Sequence, residues 1–219
     1  MKNDTVYHKR DFWGTENLRY VKPHFRMRKV AAQLRKLAAG RELDLLDVGC
    51  GPASLADLLP ANLHYHGVDI AIQEPAANLL ELDLVESPIT FKGMTFDIVV
   101  AQGFFEYMGD VQSKKLAEIA ELVKDGGKFV CTYQNFAHRR PNIYAPYSNM
   151  QPPGAFRRDL SRYFKIEQAF PTAYNWGHSH PNRGLLRAPQ ERFNVVNIPV
   201  IGPKLAIDYY YLCSPLRRP

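Results

Sequence analysis

Cysteine is scarce in this chain, with three residues among 219. Cys50 lies in a glycine-rich turn, whereas Cys131 and Cys213 lie in apolar, strand-like runs. None of their spacings resembles a disulfide framework or the paired ligands of a zinc site. We therefore expect three unpaired thiols and no bound metal.

Long hydrophobic runs are also missing. No stretch approaches the roughly 20 apolar residues that a membrane-spanning helix needs. Residues 1–10 are polar and charged, unlike the apolar core of a secretory signal. The composition, 46% apolar and 23% charged, is typical of globular proteins. The sequence thus predicts a soluble, cytoplasmic protein that does not enter a membrane, with residues 1–219 forming a single domain.

Long runs of one charge sign are absent as well, although the formal net charge is +6. The basic residues form short clusters at positions 26–29, 138–140, 157–158 and 217–218. Such clusters can steer an anionic partner, including nucleic acid. A solvated surface is the simpler interpretation, so the charge alone assigns no partner.

Helix-like and strand-like segments alternate from residue 23 to residue 132. Residues 23–39 carry apolar side chains at helical spacings before Gly40, and residues 43–48 form a short apolar run typical of a buried parallel strand. The later segments of this pattern are helices at residues 54–59 and 114–123, strands at residues 64–69, 95–102 and 128–132, and a further element at residues 78–84. Such alternation predicts an α/β fold, a mostly parallel sheet with helices on both faces.

The C-terminal third is less regular. A helix is predicted at residues 154–164 and strands at residues 166–170 and 205–213. The stretches 136–156 and 177–203 are long for plain connections, and we interpret them as a loop-rich substrate cap. Within the single domain, residues 1–40 are then N-terminal lid helices and residues 41–135 the cofactor-binding core.

The strongest motif is the turn Asp47-Val48-Gly49-Cys50-Gly51, which follows the first predicted strand. Glycines there let the backbone approach a ligand, at the strand ends where open α/β sheets bind cofactors. Asp69 ends the next strand, eighteen residues after Gly51, which is the distance at which an acid meets a ribose hydroxyl. Dinucleotide folds would carry a third glycine where this chain has Ser54, and Asp47 would repel their pyrophosphate. Asp47 instead favours a cationic, amino-acid-bearing cofactor.

These residues resemble the class I S-adenosylmethionine-dependent methyltransferase family, whose first motif has the form acid-x-Gly-x-Gly. Asp69 resembles the family's ribose-binding acid, Asp83 the acid that meets the adenine amine, and residues 96–102 its fourth motif. The resemblance implies a seven-stranded Rossmann-like sheet that ends in an antiparallel pair, here residues 166–170 and 205–213. It also implies S-adenosylmethionine as the cofactor, held by Asp47, Gly49, Cys50, Gly51, Asp69, Ile70, Asp83, Leu84, Gln102 and Gly103. Tyr20 and Arg26 either fold over the cofactor or belong to a charged N-terminal helix with a hydrophobic staple, and both interpretations stay open. Aspartates also cap helices and turns, and for Asp97 we favour that role.

Methyl transfer from a sulfonium is an in-line displacement, so the protein mainly aligns the acceptor and excludes water. Candidates for proton transfer are Glu106 and Tyr107 after the fourth strand, and His138 and His178 in the irregular stretches. Their structural alternatives are a helix cap, a packed ring and surface histidines. The many aromatic residues suit an aromatic or heteroaromatic acceptor, such as an indole-like secondary metabolite.

Two other functions remain as hypotheses. Nucleic-acid methylation would fit the basic charge, but base-amine methyltransferases usually carry Asn or Asp followed by Pro-Pro where this chain has Gln102-Gly103-Phe104-Phe105. A cofactor-binding protein without catalysis is the other, and the intact acidic and glycine positions argue against it. The sequence leaves open the methylated atom and the oligomeric state, a homodimer included.

Overall fold

The structure is a computed structural model that describes residues 25–72, 74–135, 151–174 and 206–216. Its centre is a seven-stranded sheet with the strand order β3-β2-β1-β4-β5-β7-β6. Strand β7 runs antiparallel to both of its neighbours, and the other strands run parallel to one another. The strands are β1 (Leu43–Val48), β2 (Leu63–Asp69), β3 (Leu79–Glu81), β4 (Phe96–Ala101), β5 (Val123–Gln134), β6 (Phe164–Tyr174) and β7 (Ala206–Pro215). The predicted α/β fold and its terminal antiparallel pair are confirmed.

Helices cover both faces of the sheet. Helix α1 (Phe25–Ala38) lies on one face, where Val30 and Leu34 join a hydrophobic cluster with strand residues such as Val100. Helices α2 (Gln112–Leu122) and α3 (Pro153–Leu160) lie on the other face, and their apolar residues belong to the larger cluster. Because the apolar residues of α1 recur at helical spacing, one stripe of the helix is buried and the opposite side is solvated.

One predicted helix is a single turn. The sequence places a helix at residues 54–59, but the structure has only a 3-10 turn at Ala56–Leu58. Pro60 explains the difference, since a residue before proline is biased towards extended backbone, and Leu59 has φ −93° and ψ 149°. The predicted element at residues 78–84 is the three-residue edge strand β3.

Residues 124–127, which separate the predicted helix 114–123 from the predicted strand 128–132, form a bulge within β5. Phe96 pairs with Val123 and Ile98 with Lys128, so residues 124–127 stand out of the ladder. Gly126 has φ +76°, a conformation that favours glycine. Strand β5 therefore begins at Val123, before the predicted start at residue 128.

Asp97 has a structural role at the amino-terminal edge of the sheet. Its Oδ2 accepts a hydrogen bond from the Asp44 amide at 3.0 Å and from Lys124 Nζ at 2.9 Å. Burial alone would raise the pKa of Asp97, but these donors outweigh it and hold the pKa below its usual value. Asp97 therefore ties three strand ends together, far from the glycine turn.

Within the described residues, no helix is both long and apolar enough to cross a bilayer. The same residues contain no group of three or more histidine, cysteine, aspartate or glutamate side chains placed to hold a metal ion. Cys50, Cys131 and Cys213 are buried free thiols.

Candidate active site

The carboxyl ends of β1, β2 and β4 meet at the point where the strand order reverses. Strand β1 lies between β2 and β4, so the chain leaves β1 in one direction and returns on its other side at β4. In open α/β sheets this crevice is the usual ligand site. At these strand ends lie eight of the predicted cofactor residues: Asp47, Gly49, Cys50, Gly51, Asp69, Ile70, Gln102 and Gly103.

The glycine turn after β1 has a backbone that other residues adopt only with strain. Gly49 and Gly51 have φ values of +73° and +53°. A Cβ on Gly49 would lie 2.9 Å from Phe104 Cδ2, whereas a Cβ on Gly51 would meet nothing within 4 Å. Gly49 thus lets the loop after β4 pack against the turn, and Gly51 borders open space.

Asp69, the last residue of β2, stabilises this turn by hydrogen bonds to its backbone. Its Oδ2 accepts a hydrogen bond from the Gly51 amide at 2.9 Å, and its Oδ1 accepts one from the Ala71 amide at 3.0 Å. Burial raises the pKa of Asp69, and the backbone amides of Gly51 and Ala71 oppose that rise. A carboxylate has about four acceptor positions, so two amides leave capacity for hydroxyl donors.

Asp47 is buried at the end of β1. Its Oδ2 accepts a hydrogen bond from the Tyr65 hydroxyl at 3.0 Å. The pKa of Asp47 is raised to about 7, because burial and the charge of Asp69 raise it and together outweigh the lowering by the Tyr65 hydrogen bond. A cationic partner would favour the ionised form of Asp47 and lower this pKa.

A second glycine turn follows β4. The Gly103 amide donates to Thr132 Oγ1 at 3.0 Å, which fixes the loop to β5. Gly103 has φ +59°, and a Cβ there would meet nothing within 4 Å. Gln102, which precedes it, is half-buried. The turns after β1 and after β4 therefore both border the crevice, and Gly51 and Gly103 place no side chain in it.

Asp83 follows β3 and caps a turn. Its Oδ1 accepts hydrogen bonds from the amides of Val85 at 3.0 Å and Glu86 at 3.2 Å. Leu84 is buried in the large hydrophobic cluster, as is Ile70. The turn is thereby held at the edge of the crevice next to β2.

Glu106 lies in the core rather than on an open loop. It belongs to a 3-10 turn at Phe105–Tyr107, and its Oε1 accepts a hydrogen bond from the backbone amide of Gln134 at 2.9 Å. Tyr107 is half-buried against the large cluster. The carboxylate therefore joins the loop after β4 to the end of β5.

The remaining sequence candidates have no described side chain. Tyr20, His138 and His178 lie outside the described residues, as do most of the predicted lid and cap stretches. Arg26 lies in the first turn of α1, and its side chain is not described. Residues 153–156, which the sequence assigns to the cap, begin helix α3.

The crevice fits S-adenosylmethionine on two observations. Gly51 and Gly103 leave space where a Cβ would stand, as close backbone approach to a cofactor requires. Two buried carboxyl groups, Asp47 and Asp69, present acceptors suited to an ammonium group and to ribose hydroxyls. With the strand order of the sheet, these features define the class: an S-adenosylmethionine-dependent class I methyltransferase.

The family comparison agrees. Residues 23–185 match the model of a family described as a methyltransferase domain, and the chain belongs to this family. No curated protein matches the chain.

Several solved structures share the fold. The N-methyltransferase NodS from Bradyrhizobium japonicum WM9, in complex with S-adenosyl-L-homocysteine, is 12% identical, with a TM-score of 0.64 over 98% of this chain and 100% of NodS. The CcbJ methyltransferase from Streptomyces caelestis is 13% identical, with a TM-score of 0.63 over 98% of each chain. A complex of the Haloferax volcanii Trm112 methyltransferase activator with a methyltransferase gives a match of 15% identity and TM-score 0.67, over 98% of this chain and 99% of the other. At these identities the likeness is one of fold.

Proposed function

We propose that the crevice at β1, β2 and β4 holds S-adenosylmethionine through the residues that the sequence singled out. Asp47 receives the ammonium group, Asp69 the ribose hydroxyls, and Asp83 with Leu84 the adenine edge. The backbone passes close to the cofactor at its glycines, beside Cys50, Ile70 and Gln102. Arg26 and Tyr20 close the site from the N-terminal side. The observation that carries this assignment is the buried Asp69 carboxylate at the end of β2, which accepts from the Gly51 amide at the point where the turn borders open space.

Gly51→Ala tests the assignment against a matched control. Gly93 also has a positive φ, +73°, and open space at its Cβ position, but it lies in the loop before β4, outside the crevice. Both alanine variants should lose roughly 1 kcal/mol of stability from the left-handed backbone. Only Gly51→Ala should also weaken calorimetric binding of S-adenosylhomocysteine, by about tenfold or more, because the new methyl group enters the cofactor's space. Equal affinities for the two variants would contradict the assignment.

We further propose that the methyl acceptor is a small aromatic or heteroaromatic molecule, such as an indole-like secondary metabolite. Bound S-adenosylmethionine supplies an electrophilic methyl group on a sulfonium. The protein's task is to align the acceptor atom behind that methyl group and to exclude water. The carboxyl ends of β4 and β5, which border the second glycine turn, support an acceptor site there. NodS, which is named as an N-methyltransferase, shows that this fold serves methyl transfer in another protein.

Glu106 is better suited to shaping this acceptor end than to moving protons through solvent. One of its oxygens is engaged by the Gln134 amide, and its side chain is buried. Tyr107, His138 and His178 remain the other proposed groups at the acceptor. Because a glutamine in place of Glu106 still offers an oxygen to the Gln134 amide, it removes the charge while keeping the contact.

The experiment is a methyl-transfer assay that measures release of S-adenosylhomocysteine with a panel of indoles, phenols and aromatic amines. Turnover of one member, with retained activity in Glu106→Gln, would support both the acceptor class and the shaping role. A loss of 100-fold or more in kcat would make Glu106 a proton acceptor instead. Turnover of transfer RNA but of none of the panel would move the assignment to nucleic acid.

Nucleic-acid methylation has one observation against it beyond the sequence. The Phe104 ring, next to Gly103, is buried against Gly49 and therefore does not present a face on which a base could stack. A catalytically silent cofactor-binding protein would bind S-adenosylmethionine and turn over neither class of acceptor.

A further inference from the structure

Tyr65 is a residue that no motif singles out, yet it lies against the proposed cofactor carboxylate. In the β1–β2 ladder, Leu45 pairs with Tyr65 and Asp47 pairs with Gly67. Since side chains alternate along a strand, Tyr65 and Asp47 lie on the same face of the sheet, one diagonal step apart. The Tyr65 hydroxyl donates to Asp47 Oδ2 across this step at 3.0 Å.

Gly67 makes room for the Cys50 thiol next to this contact. It stands directly opposite Asp47, and a Cβ there would come within 2.8 Å of Cys50 Sγ. The thiol therefore packs beside the Asp47–Tyr65 pair, under the glycine turn. Burial raises the pKa of Cys50 well above its ordinary value, so the thiol is neutral near pH 7.

Among the residues that the structure describes, the charged and titratable groups that face Asp47 are Tyr65, Cys50 and Asp69. Of these, Tyr65 is the group that favours the ionised form of Asp47, because its hydroxyl donates to the carboxylate. Burial also raises the pKa of Tyr65 well above its ordinary value, so the hydroxyl keeps its proton. The tyrosine ring itself packs against the cluster beneath α1, which a phenylalanine would do equally well.

We propose that Tyr65 is a positioning residue for the cofactor, which fixes the Asp47 carboxylate and keeps it ionised so that it receives the cofactor's ammonium group. This inference rests on the proposed role of Asp47. A buried carboxylate with one fixed oxygen has a defined direction for its second partner, and a buried neutral carboxyl would gain little from a cation.

The expected signature is a pH profile. The ammonium group pairs with ionised Asp47, so affinity for S-adenosylhomocysteine should fall as the pH drops through the Asp47 pKa, which lies at about 7. Below that pKa the affinity falls by up to about tenfold per pH unit. Without the Tyr65 hydroxyl the pKa of Asp47 rises, so the midpoint of the profile moves to higher pH. Tyr65→Phe should therefore bind about tenfold more weakly near pH 7 and approach the wild-type affinity at higher pH.

The test is calorimetric titration of the full chain with S-adenosylhomocysteine, from about pH 5.5 to pH 8, with melting temperatures as a check of folding. Tyr163→Phe is the matched control, because its hydroxyl is paired with Ser113 and lies away from the crevice. It should keep the wild-type profile. Methylthioadenosine, which has the adenosine but no amino acid, should bind to the wild type and to Tyr65→Phe alike, and any pH dependence that it shares with S-adenosylhomocysteine belongs to the ribose site at Asp69.

Three results would overturn the inference in distinguishable ways. If Asp47→Asn abolishes the pH dependence but Tyr65→Phe keeps the wild-type midpoint, Tyr65 has no positioning role and the proposed function stands. If wild-type affinity is constant over the range, ionisation of Asp47 does not control binding. If the wild type binds neither ligand, the proposed function itself fails.

Discussion

Asp69→Ala is expected to weaken binding of S-adenosylhomocysteine on the order of 100-fold. The carboxylate holds the amides of Gly51 and Ala71, and it is the proposed partner of the ribose hydroxyls. Each hydrogen bond to a charged group is worth about 1.5–3 kcal/mol, so loss of the ribose contact together with slackening of the glycine turn accounts for the effect. Calorimetric titration of the variant measures it directly.

Asp97→Ala provides the control for that variant. Asp97 also accepts a hydrogen bond from a backbone amide and forms an ion pair with Lys124, but it lies at the opposite, amino-terminal end of the parallel strands. Its loss should reduce stability and leave affinity within twofold of the wild type, roughly the scatter expected for independent sites. If Asp69→Ala behaved like Asp97→Ala, the ribose would bind elsewhere.

The largest effect on stability is expected for Lys115→Met. Lys115 is a fully buried cation, with 0% of its side chain exposed; its Nζ donates to the Ser87 carbonyl at 2.7 Å and to Glu118 Oε2 at 2.8 Å. Glu118 Oε2 also accepts from the Ile89 amide at 2.9 Å, so the pair fastens the loop before β4 to helix α2. Breaking a buried pair costs about 3–5 kcal/mol. Because the Glu118 side chain is 15% exposed, we expect the loss in the free energy of unfolding to lie at the low end of this range. The melting temperature should then fall by roughly 10 °C.

Lys114→Met is the matched control in that experiment. Lys114 is the neighbouring residue, is 62% exposed and lies 3.9 Å from Glu118 Oε1. An exposed pair of this kind contributes about 0–1 kcal/mol, so its removal should hardly move the melting temperature. The double variant Lys115→Met/Glu118→Gln should regain part of the loss, since it removes the stranded charge while keeping an acceptor for the Ile89 amide. Similar melting temperatures for the two single variants would contradict the assigned role of Lys115.

The sequence predicts the sheet well because buried parallel strands consist of short, nearly continuous runs of apolar residues. Leu43–Val48 is predicted to the residue, and the ends of β2 and β4 lie within one residue of their predictions. The helix predicted after the glycine turn fails for a local reason, since Pro60 leaves too little chain for more than one turn. The early start of β5 depends on its neighbour β4, and no local pattern encodes it.

The residues of the candidate site also fall into those that the sequence could predict and those that it could not. The glycines and Asp69 could be found in the sequence because close backbone approach and a strand-end acid have fixed spacings along the chain. Tyr65 could not, because its contact with Asp47 depends on the register between two strands. The burial of Glu106 likewise depends on the Gln134 amide, which lies 28 positions further along the chain.

The two halves of the sheet are built from ladders of unequal length. β2 and β3 pair at three positions, whereas β6 and β7 pair at nine. Short ladders open by local unfolding at low cost, so we expect backbone amides of β3 to exchange with deuterium sooner than those of β7. We therefore expect the edge of the sheet beside the proposed cofactor crevice to open before the antiparallel edge. A ligand that bridges Asp69 and the turn after β3 would therefore slow exchange there and leave the antiparallel half unchanged, which would make hydrogen exchange a map of the cofactor's footprint.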